Sequence, residues 1–273
     1  MNLSVMSYTL ARRRDLFSVQ RLFEFSRELG LDAVDLVSLY DCEPTELRHM
    51  ADDHEVHIVA HTFHADLAGE TEAERRKGVD QGRWGLDAAA VLGAPVVMIP
   101  PKPAEGVKRE TQRARWIAGL KELAPHAADA GIALTVENFP GWNSPFVVAD
   151  DVLAAVREVP GLRHTYDNGN AATGEDPVES FRRCAGHVVH CHFKDWDVSE
   201  TPREGFRQML DGRYYRPALI GEGIVDHAGC IAAMAEAGYD GFINIEYEGN
   251  VYTPEEGTRR AADYMRGLLD QHR

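Results

Sequence analysis

The chain has 273 residues, 44% of them hydrophobic and 27% charged, with 29 Lys+Arg against 44 Asp+Glu for a formal net charge of -15. This is an ordinary globular composition, and its mean field repels phosphate backbones and anionic lipid, so neither a nucleic-acid nor a membrane partner is expected. No apolar run reaches the roughly 18 residues of a membrane helix, Arg12-Arg13-Arg14 follows the short apolar N-terminal stretch rather than preceding it, and the four cysteines form no CxxC pair; a cytoplasmic location is expected.

Apolar, β-branched-rich runs of strand length recur in chain order at 3–8, 33–39, 57–63, 95–100, 132–139, 162–168, 187–193 and 242–248. Segments with helical periodicity separate them, such as VQRLFEFSRELG, PTELRHMADD and TQRARWIAGLKELAPHAADAG. Gly30, Gly93, Gly131 and Gly238 stand where a helix hands over to the next strand, at places suited to a left-handed cap. Strand alternating with helix implies a parallel sheet, and eight units of about 30 residues each fit a closed (β/α)8 TIM barrel as one domain over 1–273. A doubly wound sheet fits less well, because no GxGxxG follows the first strand.

The last strand interval is irregular. His190 to Asn244 spans 54 residues against 24 from Tyr166 to His190, and the excess falls in 196–221. That segment is a candidate lid over the carboxyl face, or a surface excursion packed by Trp196 and Tyr215.

In a barrel, inward side chains at the carboxyl ends of the strands converge on one pocket. Strand five ends in TVEN with Glu137, strand six in TYDNGN with Asp167, strand seven reads HCHFKD with His192, and strand eight reads NIEYE with Glu246. Singly, such carboxylates read as helix caps and such a histidine as a hydrogen-bonded core residue. Together, three carboxylates and an imidazole on four consecutive strands repel one another unless a cation sits among them. Three oxygen donors and one nitrogen suit one divalent ion, Mn²⁺, Mg²⁺, Co²⁺ or Fe²⁺, with positions left for water or substrate oxygens; Mn²⁺ is the first expectation, with Mg²⁺ or Co²⁺ next. Period-two alternation puts His190 on the same face as His192, and Glu248 on that of Glu246, so spacing alone leaves each pair open. The residue nearer the carboxyl end, His192, is preferred, and Glu248 is expected beyond the metal.

TVEN, YDNGN, HCHFKD, IGEGIVD and NIEYE, in this order, resemble the sugar phosphate isomerase/epimerase family of xylose isomerase-like barrels over essentially the whole chain. The resemblance implies that Glu137, Asp167, His192 and Glu246 hold one divalent metal and that Glu137 and Glu246 also act as acid/base residues. The activity it implies is isomerisation or epimerisation of a ketose or keto-polyol through an enediolate, with elimination on a keto-sugar as the near alternative. Relatives that interconvert ketoses carry D-x-x-H where this chain has Asp167 followed by Asn170, a departure that opens room for another reaction. The HxKD form and the GEG of 221–223 resemble dehydratases and isomerases alike.

Lys194 is the candidate catalytic cation, placed to stabilise developing negative charge. Candidate substrate contacts are His61, Asn170, His190 and Trp142, with His64 and Lys102 behind them; a structural role weighs equally for His61 and His64, Trp142 could equally pack its loop, and solvation outweighs a pocket role for Lys102. The expected partner is a small sugar or keto-polyol, and pairing with further copies of the chain is left open. A DNA-repair enzyme of the endonuclease IV type shares this barrel, but it needs a basic groove and several zinc ions where this chain offers one ligand set and a charge of -15.

Overall fold

Eight strands close into one parallel barrel in a computed structural model of the chain, described over residues 1–272. They are β1 (Asn2–Met6), β2 (Ala33–Val37), β3 (His57–Thr62), β4 (Val96–Met98), β5 (Ala133–Glu137), β6 (Arg163–Asp167) and β7 (Val188–Phe193), followed by a closing strand. Three further strands, β8 (Asp195–Ser199), β9 (Arg207–Gln208) and β10 (Tyr214–Ala218), make a separate antiparallel sheet, after which β11 (Phe242–Ile245) closes the barrel between β7 and β1. The expected (β/α)8 TIM barrel is the fold.

The helices are α1 (Ser7–Ala11), α2 (Val19–Glu28), α3 (Pro44–Asp53), α4 (Glu72–Leu92), α5 (Arg109–Asp129), α6 (Ala149–Glu158), α7 (Asn168–Ala171), α8 (Pro177–Cys184), α9 (His227–Glu236) and α10 (Pro254–Leu269). Their starts are written locally. Ser18, Asp176, Asp226 and Thr253 each accept a backbone N–H in the first turn, and Thr71 with Glu74 forms a reciprocal capping box. Their ends are written as well. Gly30, Gly93, Gly131 and Gly238 all have φ between 69° and 72°, the left-handed geometry that a missing Cβ allows.

The aromatic core, including Phe23, Phe25, Trp116, Tyr166, Phe181 and Phe193, is fully buried. The barrel interior is different. One pleat below the strand ends, Ser4 Oγ donates to Asn244 Oδ1 at 3.0 Å, and the hydroxyls of Thr135 and Thr165 meet at 2.7 Å with Thr135 also on Val97 O. Small paired polar side chains thus take the place of the branched aliphatic layers common inside such barrels. Because their hydrogen bonds are made internally, their burial carries little penalty, and they form the floor of the site above.

The strands are shorter than the apolar runs that encode them. Ser7 and Tyr8 turn into α1, and Glu246 to Glu248 lie past the end of β11. Segment 196–221 supplies the β8–β10–β9 sheet and the residues beside it, packed over α7. Trp196 Nε1 donates to Gly169 O at 2.8 Å, Tyr215 Oη to Ala172 O at 3.2 Å, and their rings meet edge to face with centroids 6.2 Å apart. No helix among the described residues is long and apolar enough to cross a membrane.

Candidate metal centre

β5, β6, β7 and β11 are consecutive neighbours in the barrel. Each delivers one side chain at its carboxyl end, and donor atoms of Glu137, Asp167, His192 and Glu246 all lie within 4.8 Å of one another. His192 Nδ1 is 2.8 Å from Glu137 Oε1 and 3.9 Å from Glu246 Oε2. Between His190 and His192, it is therefore His192 that joins the three carboxylates.

The ends of these strands are tied together by their own motifs. In TVEN, Asn138 Nδ2 donates to Asp167 O at 2.7 Å and its Oδ1 accepts Asp167 N–H at 2.8 Å, which locks the end of β5 to the end of β6. Asp167 Oδ1 then caps α7 by accepting Asn170 N–H at 2.7 Å, leaving Oδ2 for the site. In HxKD the two charged residues part company. Lys194 Nζ points into the site, 2.9 Å from Glu246 Oε2, 3.2 Å from Asp167 Oδ2 and 3.9 Å from Glu248 Oε1. Asp195 turns to the loop instead, accepting the N–H groups of Gly221, Gly223, Val225 and Trp196, with His227 Nε2 at 3.1 Å. The GEG motif is thus a loop wrapped around one carboxylate.

Electrostatics set the site's character. Burial, reinforced by Glu137 and Glu246 and opposed by Lys194, pushes the Asp167 carboxyl up to about 8. Burial likewise raises Glu248, with Lys194 again opposing. Against burial, which lowers both cations, the Asp35 and Glu137 carboxylates hold His192 well above its ordinary range and Asp167, Glu246 and Glu248 do the same for Lys194. Asp167 Oδ2 and Glu246 Oε2 are buried and accept no hydrogen bond, so their contacts with Lys194 are purely ionic. Orphaned buried oxygens cost free energy unless a ligand takes them up. Three carboxylates and one imidazole converging here, with two of the carboxylate oxygens held by no hydrogen bond, fit a divalent cation.

One residue of this region was invisible to pattern reading. Asp35, in the apolar run AVDLV of β2, is fully buried and faces both His190 Nε2 (3.1 Å) and His192 Nε2 (3.0 Å). An acid in an otherwise apolar strand was the available signal.

The secondary candidates scatter. His190 lies one pleat below His192 on Asp35, with the two rings edge to face at 5.1 Å. Asn170 is fully buried and neither Oδ1 nor Nδ2 has a partner among the described residues. His61 alternates with the inward Thr62, so it faces the helix layer, where Nδ1 bonds Leu36 O at 2.8 Å. It is not brought to the four-residue cluster. Trp142 is 62% exposed on the loop after β5, and His64 and Lys102 are exposed too. Of the three arginines, Arg12 binds the carbonyls of Tyr247 and Gly249, Arg13 pairs with Asp15, and Arg14 lines a cleft.

That cleft, about 1210 Å³, lies on the carboxyl face against the loops after β1, β2 and β3 and is lined by Tyr8, Arg14, Ser38, Tyr40, Asp41 and His64 among others. Tyr8 links it to the centre, because burial and then the charges of Glu248 and Glu246 raise its hydroxyl above the ordinary range. Ser38, Tyr40 and Asp41 all have positive φ, at 84°, 51° and 62°. Three non-glycine residues in that region within four positions is strain of the kind concentrated at binding sites.

With this geometry in view, comparisons with known proteins agree on one architecture. An inosose dehydratase of Lacticaseibacillus casei is 23% identical over 239 residues, covering 80% of this chain and 78% of that protein. The structure of an L-ribulose 3-epimerase superposes with a TM-score of 0.80 at 18% identity, covering 100% of this chain and 96% of that one. The probable 3-DHS dehydratase AsbF from Bacillus anthracis, involved in petrobactin synthesis, superposes with a TM-score of 0.76 at 15% identity, covering 97% and 99%. The model of the xylose isomerase-like TIM barrel family matches residues 23–268, which takes in all four cluster residues, and the chain belongs to that family.

Proposed function

We propose that this chain is a divalent-metal-dependent sugar isomerase or epimerase that moves a proton at the carbon beside the carbonyl of a ketose or keto-polyol. The observation that carries this reading is the meeting of Glu137, Asp167, His192 and Glu246 within 4.8 Å at the carboxyl face, with Lys194 buried against them. Those four residues would hold the ion, Mn²⁺ first among candidates, and the ion would supply Lewis acidity to polarise the substrate carbonyl.

The protein's own groups divide the remaining work. Glu137 and Glu246 come from the two ends of the four-strand arc, so one removes the proton and the other returns it on the opposite side. Lys194 places a positive charge where the enediolate oxygen gathers negative charge. The unpartnered amide of Asn170 offers a donor and an acceptor to a substrate hydroxyl in the place where ketose-converting relatives carry histidine. Segment 196–221 would serve as a cover over α7, and the cleft beside Tyr8 as the approach for the rest of the substrate.

A second reading is elimination of water from a keto-polyol. It uses the same proton removal, with a leaving group β to the carbonyl taking the electron pair. The named dehydratase relatives and Asn170 favour it. Metal-loaded Glu137→Gln and Glu246→Gln assayed on ketoses, inososes and 3-keto acids in D₂O test both. Loss of ~10²–10⁴-fold in turnover is expected for each variant. Deuterium in recovered substrate epimer supports the lead reading, and an enone product with no epimer supports the second. Turnover near wild type in a metal-loaded variant excludes that glutamate as acid or base.

A further inference from the structure

We infer that Asp35 is a positioning residue of this centre, which sets which ring nitrogen of His192 faces the ligand cluster. The inference rests on the reading of His192 as a ligand. Asp35 Oδ2 lies 3.0 Å from His192 Nε2, 3.1 Å from His190 Nε2 and 3.5 Å from Asn244 Nδ2, while Thr62 Oγ1 donates to Oδ1 at 3.4 Å. An ionised carboxylate only accepts hydrogen bonds, so each imidazole nitrogen turned towards it carries a hydrogen. His192 Nε2 is thereby an N–H nitrogen held towards Asp35 and away from the cluster. The other nitrogen, Nδ1, is the one turned to Glu137 and Glu246; in this structure it donates to Glu137 Oε1 at 2.8 Å, and as a ligand it would give that hydrogen up.

His190 completes the clamp. It donates to the same oxygen and stands edge to face on the His192 ring, at 5.1 Å and 89°, so rotation of His192 away from the carboxylates meets a wall. With the two imidazoles on Oδ2 and Thr62 on Oδ1, these contacts compensate the burial of Asp35. Its fixed negative charge also makes Nδ1 a better donor. Asp35, His190 and His192 also lie close enough together to resemble a second, three-ligand metal site. The hydrogen bonds from Thr62 and Asn244 to Asp35 favour the clamp, since both carboxylate oxygens are already taken up.

The test is titration calorimetry of Mn²⁺ into metal-free wild type, Asp35→Asn and Asp35→Ala, each checked for a native circular-dichroism spectrum. The imidazole N–H proton spectrum of the Mg²⁺-loaded proteins is recorded beside it. Wild type is expected to bind one ion, and Asp35→Asn to bind it ~10–100-fold more weakly. The His192 Nε2–H resonance seen in the wild type should be lost in Asp35→Ala. A role in folding alone would move neither readout. Wild-type affinity in folded Asp35→Asn, with wild type binding one ion, overturns the inference while leaving the metal centre in place. Two ions in wild type, the second lost in Asp35→Asn, overturns it in favour of a second site. No ion in wild type removes the metal reading and the inference together.

Discussion

Lys194 and Glu246 form a buried ion pair with Nζ 2.9 Å from Oε2, and that carboxylate oxygen has no hydrogen bond from any group among the described residues. Breaking a buried pair by removing one partner strands the other charge. Lys194→Met keeps the aliphatic stem and removes the ammonium. We expect the metal-free variant to lose about 3 kcal/mol of stability, and saturating Mn²⁺ to restore most of it by supplying the missing positive charge. Thermal unfolding with EDTA and with Mn²⁺ checks this. An equal deficit in both conditions contradicts it.

Asn170 is buried with both amide atoms unpaired, an arrangement that gives folding little and a ligand two contacts. Asn170→Ala should therefore leave the unfolding free energy within about 1 kcal/mol of wild type, since no protein hydrogen bond of the side chain is lost. The Michaelis constant for the substrate should rise about 10-fold, the loss of one hydrogen bond worth roughly 1.4 kcal/mol. A large stability loss with unchanged kinetics would make the residue structural.

Asp195 gathers four backbone N–H groups, three of them from 221–225. Its carboxyl is held below the ordinary range, the His227 contact and those N–H groups outweighing burial. Asp195→Ala is expected to cost about 3–5 kcal/mol, as for a broken buried network, and to expose the amides of Gly221, Gly223 and Val225 to exchange. Hydrogen-exchange mass spectrometry over 219–226 reads the effect directly. Unchanged protection there would show that the loop is held by other contacts.

His164 sits on β6 facing the helix layer, with Nδ1 on Val136 O at 2.9 Å, and burial pushes its imidazole down to about 4. The unfolded chain, with an ordinary imidazole near 6.5, binds the proton more readily. Stability from this group is complete above about 6.5 and is lost as pH falls from there to about 4, amounting to about 3 kcal/mol. Chemical unfolding between pH 7 and pH 4 should show that slope, and His164→Gln should flatten it. An unaltered slope in the variant would assign the acid sensitivity elsewhere.

How much of this was legible in the sequence follows from the range of the interactions. Strand starts, the four left-handed glycines and the helix caps depend on a few neighbouring residues, so a run such as IALTVEN announces β5 and its terminal Glu137. Strand ends were overread. The apolar run continues through Ser7, Tyr8 and Leu39, but pairing with neighbours stops earlier at the carboxyl face. Asp35 escaped notice because its partners lie 155 and 157 residues away and no local period marks them. His61 misled because strand alternation fixes its face only once Thr62 is known to bond Asp35. The 195–218 sheet was hidden because an antiparallel excursion has no signature in a βα repeat beyond its length.

Sharing of one divalent cation by Glu137, Asp167, His192 and Glu246 is read out by metal content per chain, measured by plasma emission on purified protein. One Mn²⁺, Mg²⁺ or Co²⁺ per chain is expected in the wild type, falling to near zero in folded Asp167→Asn and in folded His192→Ala. A wild type that holds no stoichiometric ion after exposure to these metals, an ion retained in full by both variants, or three zinc ions per chain would contradict it.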